Sequence, residues 1–233
     1  MPEKRNPLFL IAGGRGAARR RGPDPLVAEA LAGAGVLHPR VAYVGAASAD
    51  NAAFRVMIGS LLKRAGAAEV VLAPLCGRRA DPDAARKVLR DADVVFISGG
   101  DVEEGMRVLR QTRMTRFLQA LHRAGKLFFG VSAGSIMLAR AWIRWLDPQD
   151  DASAELFPCL GFAPILCDTH GEADGWEELR ALLSLSPVGS LGYGIASGTA
   201  LVLGVDGRVA ARGGEIHRFR RRAAGVVQVE SLV

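Results

Sequence analysis

The amino-acid sequence predicts an α/β fold in which a mostly parallel sheet is flanked by helices. Short apolar runs alternate along the chain with segments of helical periodicity, as the strands and helices of βαβ units do. The runs are continuously apolar, which is typical of strands that are buried on both faces. Several end in glycine, as at Gly99 and Gly130, where a sharp turn would lead into the next helix. A parallel sheet with helices on both faces accounts for these observations.

The first half of the chain shows this alternation most clearly. Strands are expected at 7–12, 40–44, 69–72, 93–98 and in the run that ends on Gly130. Helices are expected at 24–33, 51–65, 81–90, 102–110 and 114–124. Asp81 is predicted to cap the third helix because its carboxylate can accept hydrogen bonds from the first turn, and Pro82 suits the first helical position.

The second half of the chain is less regular. No periodic pattern is evident from Arg140 to Pro158, after which a strand is expected at 162–167, a helix at 176–185 and a strand at 191–195. Two short runs flank the turn residues Asp206 and Gly207 and predict a hairpin of 199–203 with 208–212. Two further edge strands are expected at 215–220 and 225–229. The fold should therefore carry a C-terminal β-hairpin extension.

Length and composition predict a single domain that spans residues 1–233. The chain is 49% hydrophobic and contains no linker rich in Pro, Ser or Gly, so one large core can form. No apolar stretch is long enough to span a bilayer, and the N-terminal residues do not resemble a signal-peptide core. We therefore expect a cytoplasmic protein with no membrane contact.

The charge pattern does not indicate a nucleic-acid partner. The net charge of +6 comes mostly from arginines, which cluster at 15–21 and at 218–222. No aromatic residues are interleaved with these clusters, and no nucleic-acid motif is present. A solvated arginine-rich surface explains the charge, although such clusters could also contact phosphates or acidic substrates.

Cysteine usage and the first glycine turn predict neither a metal nor a cofactor. The odd number of cysteines and their unrelated spacings favour reduced thiols, and no Cys/His cluster resembles a zinc site: Cys76, Cys159 and Cys167. Cys167 lies close to His170 in sequence and could line the same pocket. The glycine turn at 13–16 lacks the full spacing of a dinucleotide-binding motif.

The clearest chemical motif is Gly130-Val131-Ser132-Ala133-Gly134. An apolar run ends on Gly130, and small residues lead from Ser132 into a helical pattern, which predicts a strand, a sharp turn and a helix with Ser132 at the corner. Such a corner would project the Ser132 hydroxyl above the sheet edge, where the Ala133 N–H could stabilise an oxyanion. The alternative is an ordinary strand-to-helix turn in which Ser132 is only the N-cap.

A second candidate is the Gly99-Gly100 turn. It follows a buried run, so it should lie at the same edge of the sheet as Ser132, beyond the carboxyl ends of the strands. Two glycines there would let backbone N–H groups approach a substrate closely. A simple tight turn remains the alternative.

Taken in order, these residues resemble the peptidase S51 family, which includes aspartyl dipeptidase (peptidase E) and cyanophycinase. The matching segments are 99–101, 130–134, 147–149, 168–170 and 194–201. The resemblance implies a fold like that of class I glutamine amidotransferases, with serine in place of the amidotransferase cysteine. The pentapeptide alone is weakly specific, whereas the ordered set covers most of the chain.

The resemblance also implies roles for single residues. Ser132 would be the nucleophile and His170 its general base, with the N–H groups of Gly100 and Ala133 forming the oxyanion hole. Gly99, Asp101 and Glu172 would contact the substrate. Serine is a poor nucleophile at neutral pH unless an imidazole takes its proton, which is the physical reason for the pair.

The third member of the triad departs from the family pattern. Relatives carry an acidic residue in the segment that matches 196–198, where this chain has Ser197. Asp147 lies in a segment that serves as charge relay in some relatives and is the first candidate for this role. Glu172, in a His-Gly-Glu order reminiscent of glutamine amidotransferases, is the second. Either could instead be a solvated loop acid.

The sequence thus predicts a cofactor-free serine hydrolase that cleaves a small peptide or isopeptide through an acyl-enzyme. The acidic segment 172–178 replaces the basic residues that follow the histidine in relatives, which disfavours an aspartyl side chain by charge repulsion. Two alternatives stay open: a degenerate relative that binds a metabolite or partner, and a hydrolase of another amide. Apolar helix faces would allow a homodimer.

Overall fold

The computed structural model describes residues 6–14 and 22–233. Its strands are β1 (Leu8–Ile11), β2 (Arg40–Val44), β3 (Glu69–Leu72), β4 (Val94–Ile97), β5 (Leu127–Val131), β6 (Ala141–Trp145), β7 (Ala154–Pro158), β8 (Leu166–Thr169), β9 (Leu191–Ile195), β10 (Ala200–Leu203), β11 (Val209–Arg212), β12 (Ile216–Arg222) and β13 (Gly225–Leu232). Its helices are α1 (Pro25–Ala32), α2 (Ala52–Arg64), α3 (Pro82–Asp91), α4 (Val102–Gln111), α5 (Met114–Arg123), α6 (Ala133–Leu138) and α7 (Glu177–Ser184). Within these ranges no helix combines the length and the apolar character needed to cross a membrane. The predicted arginine cluster at 15–21 lies outside the described residues.

Seven of the described strands form a large sheet in the order β11-β10-β1-β5-β4-β2-β3. The five strands from β1 to β3 in this order pair in parallel, and β10 and β11 add an antiparallel hairpin at one edge. This arrangement confirms the predicted mostly parallel sheet and the C-terminal hairpin.

Helices cover both faces of this sheet because side chains along each strand alternate between the faces. In β4, Phe96 belongs to the hydrophobic cluster that also contains residues of α1 and α2. Ile97 belongs to the opposite cluster, which contains residues of α3, α4, α5 and α6. Apart from Arg40 and Glu69, which begin β2 and β3, the five parallel strands contain no charged residue, which explains the continuous apolar runs of the sequence.

Two smaller sheets complete the described chain. Four strands form one in the order β13-β12-β9-β8, in which β8 and β9 are parallel and the others antiparallel. The antiparallel pair of β6 and β7 forms the other. Strand β12 is thus interior to its sheet, and the prediction that 215–220 form an edge strand is wrong, whereas β13 does lie at the edge.

Two expectations for the region after Ser132 are also wrong. The strand predicted at 162–167 begins at Leu166 instead, because the backbone N–H groups of Leu160 and Phe162 bond to carbonyls of α6 and so cap its end. The segment from Arg140 to Pro158 was expected to be irregular but contains the β6–β7 ribbon. Arg144 of β6 donates hydrogen bonds to Glu155 of β7 and to Glu103 of α4, which connects the two strands of the ribbon with each other and with α4.

Strand β8 contains a buried acid directly before the candidate histidine. Asp168 is 5% exposed, and its Oδ1 accepts a hydrogen bond of 2.7 Å from the Thr169 N–H. The pKa of Asp168 is raised from 3.8 to about 7, chiefly because burial disfavours its charged form and also because the carboxylate of Glu178 repels it. The folded state therefore holds the proton of Asp168 more tightly than the unfolded state does.

This predicts that Asp168 lowers the free energy of unfolding as the pH rises from about 4 to about 7. Above that range the folded protein contains an ionised buried acid, at a cost of a few kcal/mol because each pKa unit corresponds to about 1.4 kcal/mol. Asp168→Asn has no charge and keeps the acceptor for Thr169, so its denaturation midpoint should fall less between pH 5 and pH 8 than that of the wild type. Equilibrium unfolding at several pH values measures the difference.

The matched control is Asp147→Asn. Asp147 is exposed and also accepts a backbone N–H, from Gln149, through Oδ1. Its substitution should leave the pH dependence of unfolding as in the wild type. Equal pH dependence of wild type and Asp168→Asn would contradict the prediction.

Candidate active site

Ser132 lies at the corner between β5 and α6 in a strained conformation. Its φ of 54° and ψ of −126° fall outside the regions that a non-glycine residue ordinarily adopts. The neighbouring glycines make the corner possible. A Cβ on Gly130 would lie 2.5 Å from Gly134 backbone atoms, and one on Gly134 would lie 2.1 Å from the carbonyl oxygen of Ile97. The small residues of the motif are thus required by close backbone packing.

Hydrogen bonds fix this corner to the end of β1. The Ser132 N–H donates to the carbonyl of Ile11 over 2.9 Å, and the buried Ser135 hydroxyl donates to the same carbonyl over 2.8 Å. The first N–H groups of a helix have no partner inside that helix, so the Ala133 N–H at the start of α6 is available for another acceptor. The hydroxyl of Ser132 and this N–H belong to neighbouring residues of one rigid turn.

The Gly99-Gly100 turn packs directly against Ser132. A Cβ on Gly99 would lie 3.2 Å from the Ser132 Cβ, and one on Gly100, whose φ is +143°, would lie 2.0 Å from the Ala47 carbonyl oxygen. The Asp101 N–H bonds to the same carbonyl over 2.8 Å. The structure therefore brings the glycine turn and Ser132 together, as the sequence predicts from the ends of β4 and β5.

Asp101 has a structural partner of its own. Its Oδ1 accepts a hydrogen bond of 2.8 Å from the Glu104 N–H, which makes Asp101 the N-cap of α4. The carboxylate is exposed and serves the helix end. The expectation that Asp101 contacts substrate finds no support in this arrangement.

His170 follows β8 and reaches the same edge of the structure. Its φ of 68° turns the chain sharply after Thr169, and its N–H donates to the carbonyl of Ile195 over 3.3 Å. The ring nitrogen Nδ1 lies 2.9 Å from the Ser197 hydroxyl oxygen. With Nδ1 engaged in this way, Nε2 is the nitrogen left for another partner.

The backbone near His170 rests on Trp176, which is 4% exposed. A Cβ on Gly171 would lie 2.7 Å from the indole, and one on Gly194 would lie 2.6 Å from it. The indole thus fills the space beside both backbones, so that larger residues at these positions would displace it. This packing holds the loop that carries His170 against β9, where Ser197 follows.

Ser197 connects His170 to Glu172. The Ser197 N–H donates to Glu172 Oε1 over 2.6 Å, while its hydroxyl lies within hydrogen-bond distance of His170 Nδ1. Burial acts to raise the pKa of Glu172, but backbone and hydroxyl hydrogen bonds, including those of Ser197, and the charge of His170 outweigh it, so the pKa lies below its usual range. Glu172 is therefore ionised at neutral pH and coupled to the imidazole through Ser197.

The structure does not bring Asp147 to His170. Asp147 lies in the exposed loop between β6 and β7, where its Oδ1 accepts the Gln149 N–H over 2.9 Å and its own N–H donates to the Ser153 hydroxyl. The partner of His170 Nδ1 is Ser197 instead. Sequence reasoning took Ser197 only as the loss of an acid, although a hydroxyl can both donate and accept a hydrogen bond.

One cavity of about 750 Å³ joins these residues. Ser132, His170 and Ser197 all line it, together with Gly13 and Gly14. The Gly198 N–H donates to the Gly13 carbonyl over 2.6 Å, which fixes the loop after β1 to the turn after β9. A nucleophile candidate, an imidazole and its hydroxyl partner thus face one solvent-accessible space.

The cysteines do not contribute to this cavity. Cys167 is fully buried in a hydrophobic cluster, and burial raises the pKa of its thiol, so the idea that it lines the pocket is wrong. Within residues 6–14 and 22–233, no group of three or more His, Cys, Asp or Glu side chains could hold a metal ion. The polar side chains of the described cavity lining are the hydroxyls of Ser132 and Ser197, the imidazole of His170 and the carboxylate of Asp24.

Comparison with solved structures shows the same fold in peptidases. A peptidase from an acI-B1 Actinobacterium is similar with a TM-score of 0.69 and 18% sequence identity, over 99% of this chain and 97% of that one. A putative peptidase E protein from Listeria monocytogenes EGD-e is similar with a TM-score of 0.64 and 18% identity, over 90% of this chain and 98% of that one. No curated protein sequence matches the chain.

The family assignment rests on the sequence itself. The model of peptidase family S51 matches residues 8–209, a range that runs from β1 into β11 and includes Ser132, His170 and Ser197. This agrees with the resemblance drawn from the ordered motifs and with the fold of the two peptidase structures. The chain belongs to peptidase family S51.

Proposed function

We propose that the protein is a serine peptidase that cleaves a small peptide or isopeptide with Ser132 as nucleophile. The observation that carries this proposal is the corner at Ser132, where close glycine packing holds a non-glycine residue at positive φ beside a cavity that His170 also lines. Such strain is retained where function requires it. Membership of a peptidase family supports the same reaction class.

In the proposed mechanism the Ser132 hydroxyl oxygen attacks the carbonyl carbon of the scissile amide. Its proton passes to His170 Nε2, because Nδ1 is engaged by Ser197. The N–H groups of Gly100 and Ala133 stabilise the negative charge that develops on the carbonyl oxygen. Both belong to turns that are fixed before substrate arrives, so they need little reorganisation.

The tetrahedral intermediate then collapses. His170 donates the proton to the leaving amine, the C–N bond breaks, and an ester forms between Ser132 and the acyl part of the substrate. Water repeats the sequence with the same groups and releases the acid. We propose that Glu172, acting through Ser197, stabilises the imidazolium that forms in both halves of the reaction.

Ser132→Ala should abolish hydrolysis and covalent labelling by a fluorophosphonate. The substitution removes a hydroxyl that faces the cavity and leaves the packing of Gly130 and Gly134 unchanged, so the thermal midpoint should hardly move. Intact-protein mass spectrometry measures the labelling.

Ser184→Ala is the control, since this hydroxyl donates to a carbonyl within α7 and lies away from the cavity lining. It should label as the wild type does. Full labelling of the Ser132→Ala protein would reject Ser132 as the nucleophile.

His170→Ala should lower kcat by roughly three or more orders of magnitude with KM little changed, since an unassisted serine retains only the oxyanion hole and binding. His217→Ala is the matched control. The ring centroids of His217 and Trp176 are 5.5 Å apart, so His217 contacts the side chain that packs beneath the His170 loop, but it does not line the cavity. Steady-state kinetics of both variants provide the test, and equal effects of the two substitutions would mean that His170 acts structurally.

Ser197 contacts both His170 and Glu172, and we call this connection the bridge. It predicts that Ser197→Ala and Glu172→Gln act on the same step. Each should lower kcat by about one to three orders of magnitude, because Ser197→Ala removes the hydroxyl that joins the carboxylate to the imidazole and Glu172→Gln removes the carboxylate itself. Loss of a directly bonded carboxylate partner costs up to about four orders. The double variant should be no slower than the slower single variant. Asp147→Asn should stay within twofold of wild type.

The kinetic cycle distinguishes the bridge from its rivals. Additive losses in the double variant would show that Ser197 and Glu172 act independently. A large loss in Asp147→Asn, with no loss in Glu172→Gln, would restore Asp147 as the third member of the triad.

A further inference from the structure

The cavity beside Ser132 continues as an apolar chamber between α1 and α2, over one face of the large sheet. Its volume of about 750 Å³ is within the usual range of small-molecule sites. Ser132 and His170 belong to its lining. Six apolar side chains from α1, α2 and β5 form much of its described wall: Val27, Phe54, Met57, Ile58, Leu61 and Val131.

The lining includes both core and exposed side chains, which we call the floor and the rim of the chamber. Phe96 of β4 is 1% exposed and Val27 is 2% exposed, so both belong to the packed core and to the floor. Met57 on α2 is 43% exposed although it lines the cavity. An apolar group that enters from the Ser132 side would therefore contact core side chains and cover apolar surface that now faces water.

The described wall offers an acidic group no permanent positive charge. Among the lining residues that the structure describes, none is Lys or Arg, and the carboxylate is that of Asp24. Asp24 caps α1, because its Oδ1 accepts the N–H groups of Leu26 and Val27 over 3.0 and 3.2 Å. A substrate carboxylate placed among these described lining residues would lose water without gaining an ion pair from any Lys or Arg of theirs, and it would meet the like charge of Asp24.

We propose that this chamber binds a large apolar side chain on the residue whose carbonyl carbon Ser132 attacks. The proposal rests on the function proposed above and names its substrate class: peptides with Phe, Leu or Met at that residue, in preference to Asp. One observation supports this: Ser132 lines the same cavity as the apolar side chains of the chamber wall, so a substrate residue bound among them has the nucleophile in the same space. Apolar pockets of this kind discriminate by roughly 10- to 200-fold for one methylene.

The first experiment measures kcat/KM of the wild type for a panel of amino-acid p-nitroanilides with Phe, Leu, Met, Lys and Asp. The kcat/KM of the three apolar substrates should exceed that of the Asp substrate by at least about tenfold. Their side chains fill the chamber, whereas the Asp carboxylate would enter it without a cationic partner among the described lining residues. Preference for Asp, or equal rates across the panel, would overturn the proposal.

The second experiment places a cation at the rim. Met57→Lys should lower kcat/KM for the Phe substrate by about tenfold or more and raise the ratio of Asp to Phe, since the ammonium group would face the chamber. Val56→Lys is the matched control: Val56 is the adjacent residue of α2, is 64% exposed and is absent from the lining. It should behave as the wild type, and equal effects of the two substitutions would reject a role for the chamber.

Fluorophosphonate labelling of Ser132 tests the nucleophile separately from the apolar subsite. Labelling together with the apolar preference supports both. Labelling with a preference for Asp, or with no cleavage of any panel member, leaves the nucleophile in place and rejects the apolar subsite. If the protein is neither labelled nor cleaves any substrate, both the proposed function and the subsite are rejected.

Discussion

Contact of backbone with backbone at the ends of β4 and β5 is the constraint on which the candidate site depends. Gly134 packs on the Ile97 carbonyl and Gly130 packs on Gly134, each at a distance that a side chain would prevent, and Gly99 packs tightly on Ser132. Close packing allows little relaxation, so the corner at Ser132 keeps its positive φ. The position of the hydroxyl is thus set by glycine packing and by two hydrogen bonds to Ile11.

The sequence was sufficient to predict the large sheet and this corner, because both follow from local patterns. A continuous apolar run identifies a doubly covered strand, and Gly-Val-Ser-Ala-Gly identifies a turn in which only small residues fit. The β6–β7 ribbon was missed because its stability depends on distant partners. Arg144 bridges Glu155 across the ribbon and Glu103 on α4, and such pairs leave no periodic signal.

The sequence did not predict the contact between Ser197 and His170 for a related reason. Asp147 was preferred because of its place in a family segment, yet its carboxylate accepts a hydrogen bond from the backbone of its own loop, at Gln149. Glu172 and Ser197 are 25 residues apart and meet because β8 and β9 are parallel neighbours that end at the same level. The contact depends on the pairing of these strands and on Trp176, which fills the space beside Gly171 and Gly194. Neither can be read from the residues near His170.

In the proposed mechanism Ser197 stands between the imidazole of His170 and the carboxylate of Glu172, whereas in a triad one acid both orients the imidazole and stabilises its charge. Orientation of the ring depends on the short contact at Nδ1, which the Ser197 hydroxyl makes at 2.9 Å as well as a carboxylate would. Stabilisation of the imidazolium depends on the charge, and Coulomb energy falls inversely with separation, so the more distant Glu172 retains only a part of it. Exposure of Glu172 to solvent weakens that part further. Under the proposed mechanism this arrangement would orient the imidazole as a triad acid does but stabilise the imidazolium less, so we expect slower turnover than in relatives with an acid at this position.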